Sequence, residues 1–150
     1  MDTQNTISDL NMLIEINNDR ILGYSIASIE ADEKDLKEMF SEFSHTSRVC
    51  KSELANEVQR LGGRPSEQTK TNGKIFRVWN SIEDALISKD RKLIIDNCEY
   101  AEYINLDIYN NAILNDIADL TLEQQSMLNT QLLLLTADHN KVISLQKIAA

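Results

Sequence analysis

The sequence has few residues that interrupt helices, because its 150 residues include one proline and four glycines. Long, uninterrupted elements are therefore expected. Alternating runs of β-branched and aromatic residues between turns are missing as well, which argues against strands. The apolar fraction of 42% and the charged fraction of 26% are typical of a globular protein. A chain of this length can bury its own core, so residues 1–150 are expected to form a single domain.

Positive charge is also scarce, and the formal net charge is −9. Nucleic acids and anionic membranes are therefore not expected as partners, since both carry negative charge. The sequence has no apolar run of the roughly 18 residues that a membrane-spanning helix needs. The N-terminus, MDTQNTISDL, lacks the basic start and the apolar run of a secretory signal. These absences predict a cytoplasmic protein.

Two cysteines, Cys50 and Cys98, are too few for a disulfide framework. Both lie among apolar residues on a predicted helix face, so two buried thiols are expected; a redox role would need a neighbour that stabilises the thiolate. Glycine-rich phosphate loops, nucleophile elbows and zinc-type cysteine clusters are absent. With two histidines in addition, the sequence offers little for acid–base or nucleophilic catalysis and argues against an enzyme.

Apolar residues recur at helical spacing in five segments. Four long helices are predicted at about residues 5–30, 32–61, 90–115 and 121–148, and a shorter one at about 74–88. The first and second long helices are joined by a few residues, as are the third and fourth. Such short connections favour antiparallel neighbours.

Residues 64–73 (RPSEQTKTNG) and the short helix together form a much longer connection. Ten extended residues reach up to about 33 Å, and a fifteen-residue helix adds about 22 Å. The chain can therefore return to the other end of the bundle before the third long helix begins. The sequence predicts an all-α, up-down-down-up four-helix bundle with a short helix in its one crossover.

Local signals refine the ends and faces of these helices. Thr6 with Asp9 and Thr121 with Gln124 resemble capping boxes, and Gly62-Gly63 predicts the end of the second long helix. The predicted inward positions, helix by helix, are Ile7, Leu10, Ile14, Ile21, Ser25 and Ile29; Leu36, Phe40, Phe43, Ser47, Cys50, Leu54 and Leu61; Ile75, Trp79, Ile82 and Leu86 in the short helix; Ile94, Ala101, Ile104, Ile108 and Ala112; and Leu128, Leu132, Leu135, His139 and Val142.

Four segments are similar to a known family: Leu13–Tyr24 (LIEINNDRILGY), Met39–Arg48 (MFSEFSHTSR), Gly73–Leu86 (GKIFRVWNSIEDAL) and Lys89–Glu102 (KDRKLIIDNCEYAE). They resemble a bacterial family of stand-alone four-helix-bundle proteins of unknown function in the ferritin-like superfamily. The resemblance covers nearly the whole chain in the same order. It implies the ferritin-like fold and implies no activity.

Ferritin-like proteins that bind two metal ions place a Glu on each of two helices and a Glu-x-x-His on each of the other two. These side chains are the oxygen and nitrogen ligands that iron and manganese accept. One such spacing occurs in this sequence, at Glu42 and His45. The further candidates are Glu99 and Glu102 on the third long helix, His139 on the fourth, and Glu15 and Asp19 on the first.

The facing of these candidates argues against a metal site. Each residue turns a helix by about 100°, so with Phe43 inward His45 lies about 200° away and Glu42 about 100° to one side. Three residues before His139 stands Thr136 instead of Glu. No metal site is therefore expected; the alternative is an iron or manganese site at Glu42, His45, Glu99, Glu102 and His139.

Other polar residues allow two interpretations each. His139 is expected to be a core histidine that bonds Asn97 or a backbone carbonyl, and the alternative is a remnant metal ligand or a pH-sensitive latch. Lys89, Arg91 and Lys92 cluster where the third long helix begins, near its positive dipole end. A solvated basic patch is expected there, with an anion contact as the alternative.

Two of the predicted helices have more apolar surface than a bundle core needs, and this surface indicates where a partner could bind. The first helix has a second stripe on its back, Met12, Ile16 and Gly23, with Ile26 at its margin, and the last is apolar on nearly all sides at 132–135. Such helices need cover. The short helix can cover one of these faces, and the other is then expected to be the surface of a homo-oligomer, a dimer, or of a protein partner. The leading hypothesis is a non-enzymatic bundle with an interaction or structural role, stress-related by analogy; the alternative is a carboxylate-bridged di-metal storage protein or oxidase.

Overall fold

A computed structural model describes residues 3–69 and 73–149, without the side chains of residues 73–76 and 149. The five helices of this part are α1 (Thr3–Glu30), α2 (Lys34–Arg60), α3 (Gly73–Ser88), α4 (Arg91–Asn115) and α5 (Leu122–Ala149). No strand occurs in the two described ranges. The all-helical prediction is confirmed, and the predicted ends agree with these to within two residues.

Two of the predicted helix ends are confirmed in atomic detail. After α2, the N–H of Gly63 donates to the carbonyl of Val58 at 2.9 Å, and Gly62 has a positive φ of 87°, as a glycine-terminated helix requires. Before α5, the N–H of Thr121 donates to Gln124 Oε1 at 2.9 Å, and the N–H of Gln124 donates to Thr121 Oγ1 at 3.0 Å. This is the reciprocal capping box.

The capping box predicted at Thr6 and Asp9 is wrong. α1 begins at Thr3, so Thr6 lies inside the first turn, where its side chain is buried. Nothing in the sequence of residues 3–5 breaks a helix, and α1 therefore extends past the predicted cap.

Hydrogen bonds between helices fix how they pair. Along α1 and α2, Ser25 contacts Ser44 at 2.9 Å; further towards the start of α1, Arg20 contacts Ser47 at 2.6 Å. Lower residue numbers on α1 therefore lie beside higher residue numbers on α2, so the two helices are antiparallel. The pairs Glu99–His139 and Tyr109–Gln131 show the same for α4 and α5.

The N-terminal ends of α2 and α4 are neighbours. Arg91 contacts the carboxylates of Glu33 and Asp35, the latter at 2.7 Å, and Lys89 lies 3.2 Å from Asp32. Lys92 pairs with Asp96 along α4 at 2.8 Å. The three basic side chains thus form ion pairs with carboxylates of the chain itself. These carboxylates are Asp32, Glu33, Asp35 and Asp96.

The connection after α2 runs along the back of α1. Asn11 Nδ2 donates to the carbonyl of Arg64 at 3.1 Å, the N–H of Ser66 donates to Asn11 Oδ1 at 2.8 Å, and Asn18 Nδ2 donates to the carbonyl of Gln68 at 2.8 Å. Ile16, on the predicted back stripe, is fully buried. Met12 and Gly23 of the same stripe are half-buried and Ile26 is 40% exposed, so the second apolar stripe of α1 is covered only in part within the chain.

The inward face of α2 is the one predicted, apart from the half-buried Leu61. In α3, Ile82 and Leu86 are buried and Trp79 is half-buried as predicted, whereas the side chain of Ile75 lies outside the described residues. In α4, Ile108 alone of the predicted positions is only half-buried.

The faces of α1 and α5 differ from the prediction. Ile29 is 77% exposed, and Ile21, Ser25, Leu132 and His139 are only half-buried. Polar residues hold core positions that an apolar pattern does not find. Three predicted positions of each helix are buried, Ile7, Leu10 and Ile14 in α1 and Leu128, Leu135 and Val142 in α5. The buried positions that the prediction missed include Leu13, Asn17, Arg20, Tyr24 and Ala27 in α1 and Gln131 and Asp138 in α5.

Gly23 lets α3 lie close to α1. A Cβ atom at this position would be 2.3 Å from Cζ3 of Trp79, far inside contact distance. We expect Gly23→Ala to displace the indole and to destabilise the protein by about 1–2 kcal/mol, because overpacking outweighs the helix propensity gained. Trp79 is the single tryptophan, so its fluorescence reports the displacement directly. Ser28→Ala, further along α1, is the control and should leave the emission unchanged.

None of the helices in the described residues has the length and apolar character that crossing a membrane requires.

Candidate functional site

A buried arginine lies at the centre of the packed helices. Arg20 of α1 is 0% exposed, as are Tyr24 and Ser47, and Glu102 is 1% exposed. Asp138 of α5 is 5% exposed. We call these five residues the arginine cluster; they come from α1, α2, α4 and α5, so every long helix contributes to it.

The guanidinium forms a fork with one carboxylate and bonds two further groups. Arg20 Nε and Nη2 donate to the two oxygens of Glu102 at 3.2 and 2.7 Å. Nη2 also donates to Asp138 Oδ2 at 3.0 Å, and Nη1 donates to Ser47 Oγ at 2.6 Å. The planar guanidinium is suited to such bidentate pairing, which a lysine could not reproduce.

Aromatic rings close the cluster towards α2 and α3. The hydroxyl of Tyr24 donates to Glu102 Oε2 at 2.6 Å. The Arg20 guanidinium lies 5.2 Å from the ring centroid of Tyr24 and 5.8 Å from that of Phe43, within cation–π range. Trp79 of α3 packs edge-on against Tyr24 at 4.9 Å between centroids. The rings keep water away from the charges.

Burial and neighbouring charges shift the pKa values of Arg20 and Asp138 in opposite directions. Burial alone would lower the pKa of Arg20, but Glu102 and Asp138 raise it above its ordinary value, so the guanidinium stays charged. Burial raises the pKa of Asp138, and Arg20 opposes that rise. Burial also raises the pKa of Tyr24, which keeps its proton for Glu102. The cluster is thus a fixed ion-pair network with no free acid or base aimed at solvent.

A second polar layer lies next to the arginine cluster. The hydroxyl of Tyr109 accepts a hydrogen bond from Asn17 Nδ2 at 2.6 Å and donates to Gln131 Oε1 at 3.0 Å. Gln131 Nε2 in turn donates to Glu53 at 3.1 Å and to the carbonyl of Cys50 at 3.3 Å. This layer also joins all four long helices, so polar contacts fix their register at two levels.

Both cysteines are free and buried, as predicted. Burial raises the pKa of the Cys50 thiol to about 12 and also raises that of Cys98. Neither thiol is therefore a thiolate near neutral pH.

The five candidate metal ligands do not converge. Glu42 and His45 are exposed on α2, where Glu42 pairs with Lys141. Glu102 is bound in the arginine cluster. His139 Nε2 and Glu99 Oε2 form a separate pair at 2.9 Å. Among the residues that the structure describes, no group of three or more His, Cys, Asp or Glu side chains could hold a metal ion.

His139 is less central than predicted, and its partner differs. Its ring bonds Glu99, whereas Asn97 donates to the carbonyl of Leu93 one turn earlier. His139 thus bonds a neighbouring group as predicted, but Asn97 as that neighbour is wrong, because the side chain of Asn97 turns back onto its own helix.

An acidic contact joins the start of α1 to the turn before α5. Burial, a hydrogen bond with Asp116 and the charges of Asp116 and Asp119 raise the pKa of Asp9 to about 7. An unfolded Asp has a pKa of about 3.9. The folded state therefore binds the proton more tightly between these values, and stability falls as the pH rises through this window.

We expect Asp9→Asn to be more stable than the parent at pH 8, by about 0.5–1 kcal/mol because solvent screens these charges, and to match it near pH 4. Urea unfolding at several pH values measures the difference. Asp107→Asn, an exposed acid of α4, is the matched control, and an equal gain in that variant would assign the effect to net charge.

Comparison with known proteins identifies the family to which this chain belongs. A search of curated proteins finds no match to the chain. A family model described as a domain of unknown function (DUF2383) matches residues 5–115, most of the chain, from the start of α1 to the end of α4. The predicted resemblance to a family of unknown function is confirmed. The chain belongs to the DUF2383 family.

Proposed function

We propose that this protein is a non-enzymatic bundle with a structural or protein-interaction role, and that Arg20 holds the place of a metal ion at its centre. The observation that carries the proposal is the guanidinium of Arg20, which is fully buried and forms ion pairs with Glu102 and Asp138. Both carboxylates are buried, at 1% and 5% exposure. They are neutralised by a side chain of the protein itself.

A ferritin-like, up-down-down-up order is part of this proposal. It is supported by the antiparallel pairs α1–α2 and α4–α5 and by the neighbouring N-terminal ends of α2 and α4. Tyr24 contacts Glu102 and Asn17 contacts Tyr109, which makes α1 antiparallel to α4 as this order requires.

The residues do not fit the di-metal site that many proteins of this fold hold. A metal at the centre would lie against the Arg20 guanidinium, and two positive charges at one buried point repel each other strongly. Glu42 and His45 face solvent instead of the centre. We therefore derive no chemistry through iron or manganese.

Elemental analysis after loading with iron(II) or manganese(II) tests the proposal. We expect far less than one equivalent of metal per chain after desalting. About two equivalents per chain, lost in Glu102→Ala or His139→Ala, would overturn the proposal in favour of a di-metal protein. Glu38→Ala, an exposed acid of α2, controls for loss of a surface carboxylate.

A further inference from the structure

The outer face of α5 carries no charge over much of its length. Residues 124–137 contain no Asp, Glu, Lys or Arg, and no other such run in the sequence exceeds nine residues. This is unusual in a chain with 26% charged residues and a net charge of −9. A solvated helix face normally carries charges.

The uncharged residues form one continuous stripe on the surface. Leu133 is 71% exposed and Leu134 is 41% exposed, whereas Leu128 and Leu135 of the same helix are buried. The exposed positions are spaced by three and four residues, as on one side of a helix. They are Ser126, Asn129, Thr130, Leu133, Leu134 and Ala137, which we call the α5 stripe.

Exposed apolar side chains flank the α5 stripe on both neighbouring helices. On α2, Val49 is 39% exposed and adjoins Cys50, whose carbonyl bonds Gln131. On α4, Tyr103 is 57% exposed and lies one turn beyond Glu99, which bonds His139. The surface around Leu133 and Leu134 is therefore a broad apolar patch, of the kind that marks an interface.

We propose that the α5 stripe is the interface of a homodimer in which two copies of α5 pack antiparallel. Charge is the reason to name a second copy as the partner. Two chains that each carry a net charge of −9 repel each other least where their charge-free faces meet, whereas a basic partner would be bound by an acidic face.

Twofold symmetry also suits the order of residues in the stripe. An axis between Leu133 and Leu134 places the small Thr130 of one copy opposite the small Ala137 of the other, which allows close approach of the helices. The same axis brings Glu123 at one end of α5 within about a turn of Lys141 of the second copy. Lys141 also pairs with Glu42 of its own chain, so at each end of the interface one lysine would lie between two carboxylates.

Sedimentation equilibrium from about 1 to 100 μM tests this proposal. We expect the parent protein to dimerise and Leu133→Glu to weaken dimerisation at least tenfold. The substitution would bury two negative charges in the interface, one from each copy, close to each other and without a positive partner. Leu114→Glu is the matched control: Leu114 is 69% exposed on α4 and lies outside the stripe, so its dimer should persist. Circular dichroism should show both variants folded, since neither side chain is in the core.

Cross-linking tests the position of the axis. Cys50 and Cys98 are buried, so a new surface thiol is the reactive one. Leu134→Cys should form a disulfide between copies in air, and Leu114→Cys should not. A parent protein that stays monomeric throughout the range overturns the proposal. So does a dimer that survives Leu133→Glu, or one that is lost equally in Leu114→Glu. None of these outcomes depends on whether metal binds.

Discussion

Arg20→Met should lower the free energy of unfolding by about 3–5 kcal/mol, because it leaves two buried carboxylates without their cation. Glu102 and Asp138 are 1% and 5% exposed, so water cannot replace the guanidinium. For a chain of this size, each kcal/mol shifts the melting temperature by about 2–4 °C. A decrease in melting temperature of about 6–20 °C is therefore expected, measured by thermal unfolding followed by circular dichroism, with urea unfolding to measure the free energy.

The pH dependence of that loss identifies its cause. Burial raises the pKa of Asp138, and without the guanidinium the main group that opposes this rise is gone. The folded variant then binds protons more tightly than the unfolded chain, and its stability falls as the pH rises. We expect the difference between Arg20→Met and the parent to be smallest near pH 4 and to widen towards pH 8.

Two comparison variants separate geometry from charge. Arg20→Lys keeps a positive charge but cannot form the fork with Glu102, so an intermediate loss is expected. Arg60→Met removes an arginine that pairs with Glu57 at the surface and should change stability by less than about 1 kcal/mol. A loss in Arg20→Met no larger than that in Arg60→Met would mean that the cluster contributes little to stability.

The sequence predicted the helices well because their ends depend on local chemistry. The Thr121–Gln124 capping box and the stop at Gly62 involve residues within a few positions of each other. The face of α2 was also predictable, because its core positions are almost all apolar or small.

Of the arginine cluster, Ser47 was predicted inward and Glu102 was a candidate ligand, whereas Arg20, Tyr24 and Asp138 were missed because an apolar pattern does not find polar core residues. In α5, the stripe was predicted to pass through Leu132 and His139, whereas the buried positions are Gln131 and Asp138. One signal was present: Leu13, Asn17, Arg20, Tyr24 and Ala27 follow steps of four and three, as a buried face does. The charge of Arg20, in the middle of that face, is stabilised by side chains of three other helices. The spacing of residues in the sequence does not show which side chains these are.

Replacing the whole cluster should reverse the effect of removing its cation. The variant Arg20→Met, Tyr24→Phe, Ser47→Ala, Glu102→Leu and Asp138→Leu replaces all five residues, so that neither a buried charge nor a hydroxyl of the cluster is left without its partner. Buried ion pairs contribute little net stability over well-packed apolar residues of similar size, because the desolvation of the charges offsets their attraction. We expect this variant to recover the loss in Arg20→Met, and to equal or exceed the parent by about 1–4 kcal/mol in urea unfolding.

The role of the cluster is then to specify one arrangement of the four long helices, more than to raise the free energy of unfolding. Four helices with apolar faces can pack in more than one register, whereas the fork of Arg20 and Glu102 is satisfied in one arrangement only. The apolar variant should therefore keep its helical content but lose part of the dispersion of its NMR spectrum. Its matched control, Tyr24→Phe alone, removes only the contacts of one hydroxyl with Glu102 and Cys98 and should keep the dispersion of the parent. A fully dispersed spectrum in the apolar variant would show that packing alone specifies the bundle, and the arginine cluster would then need a role outside the fold.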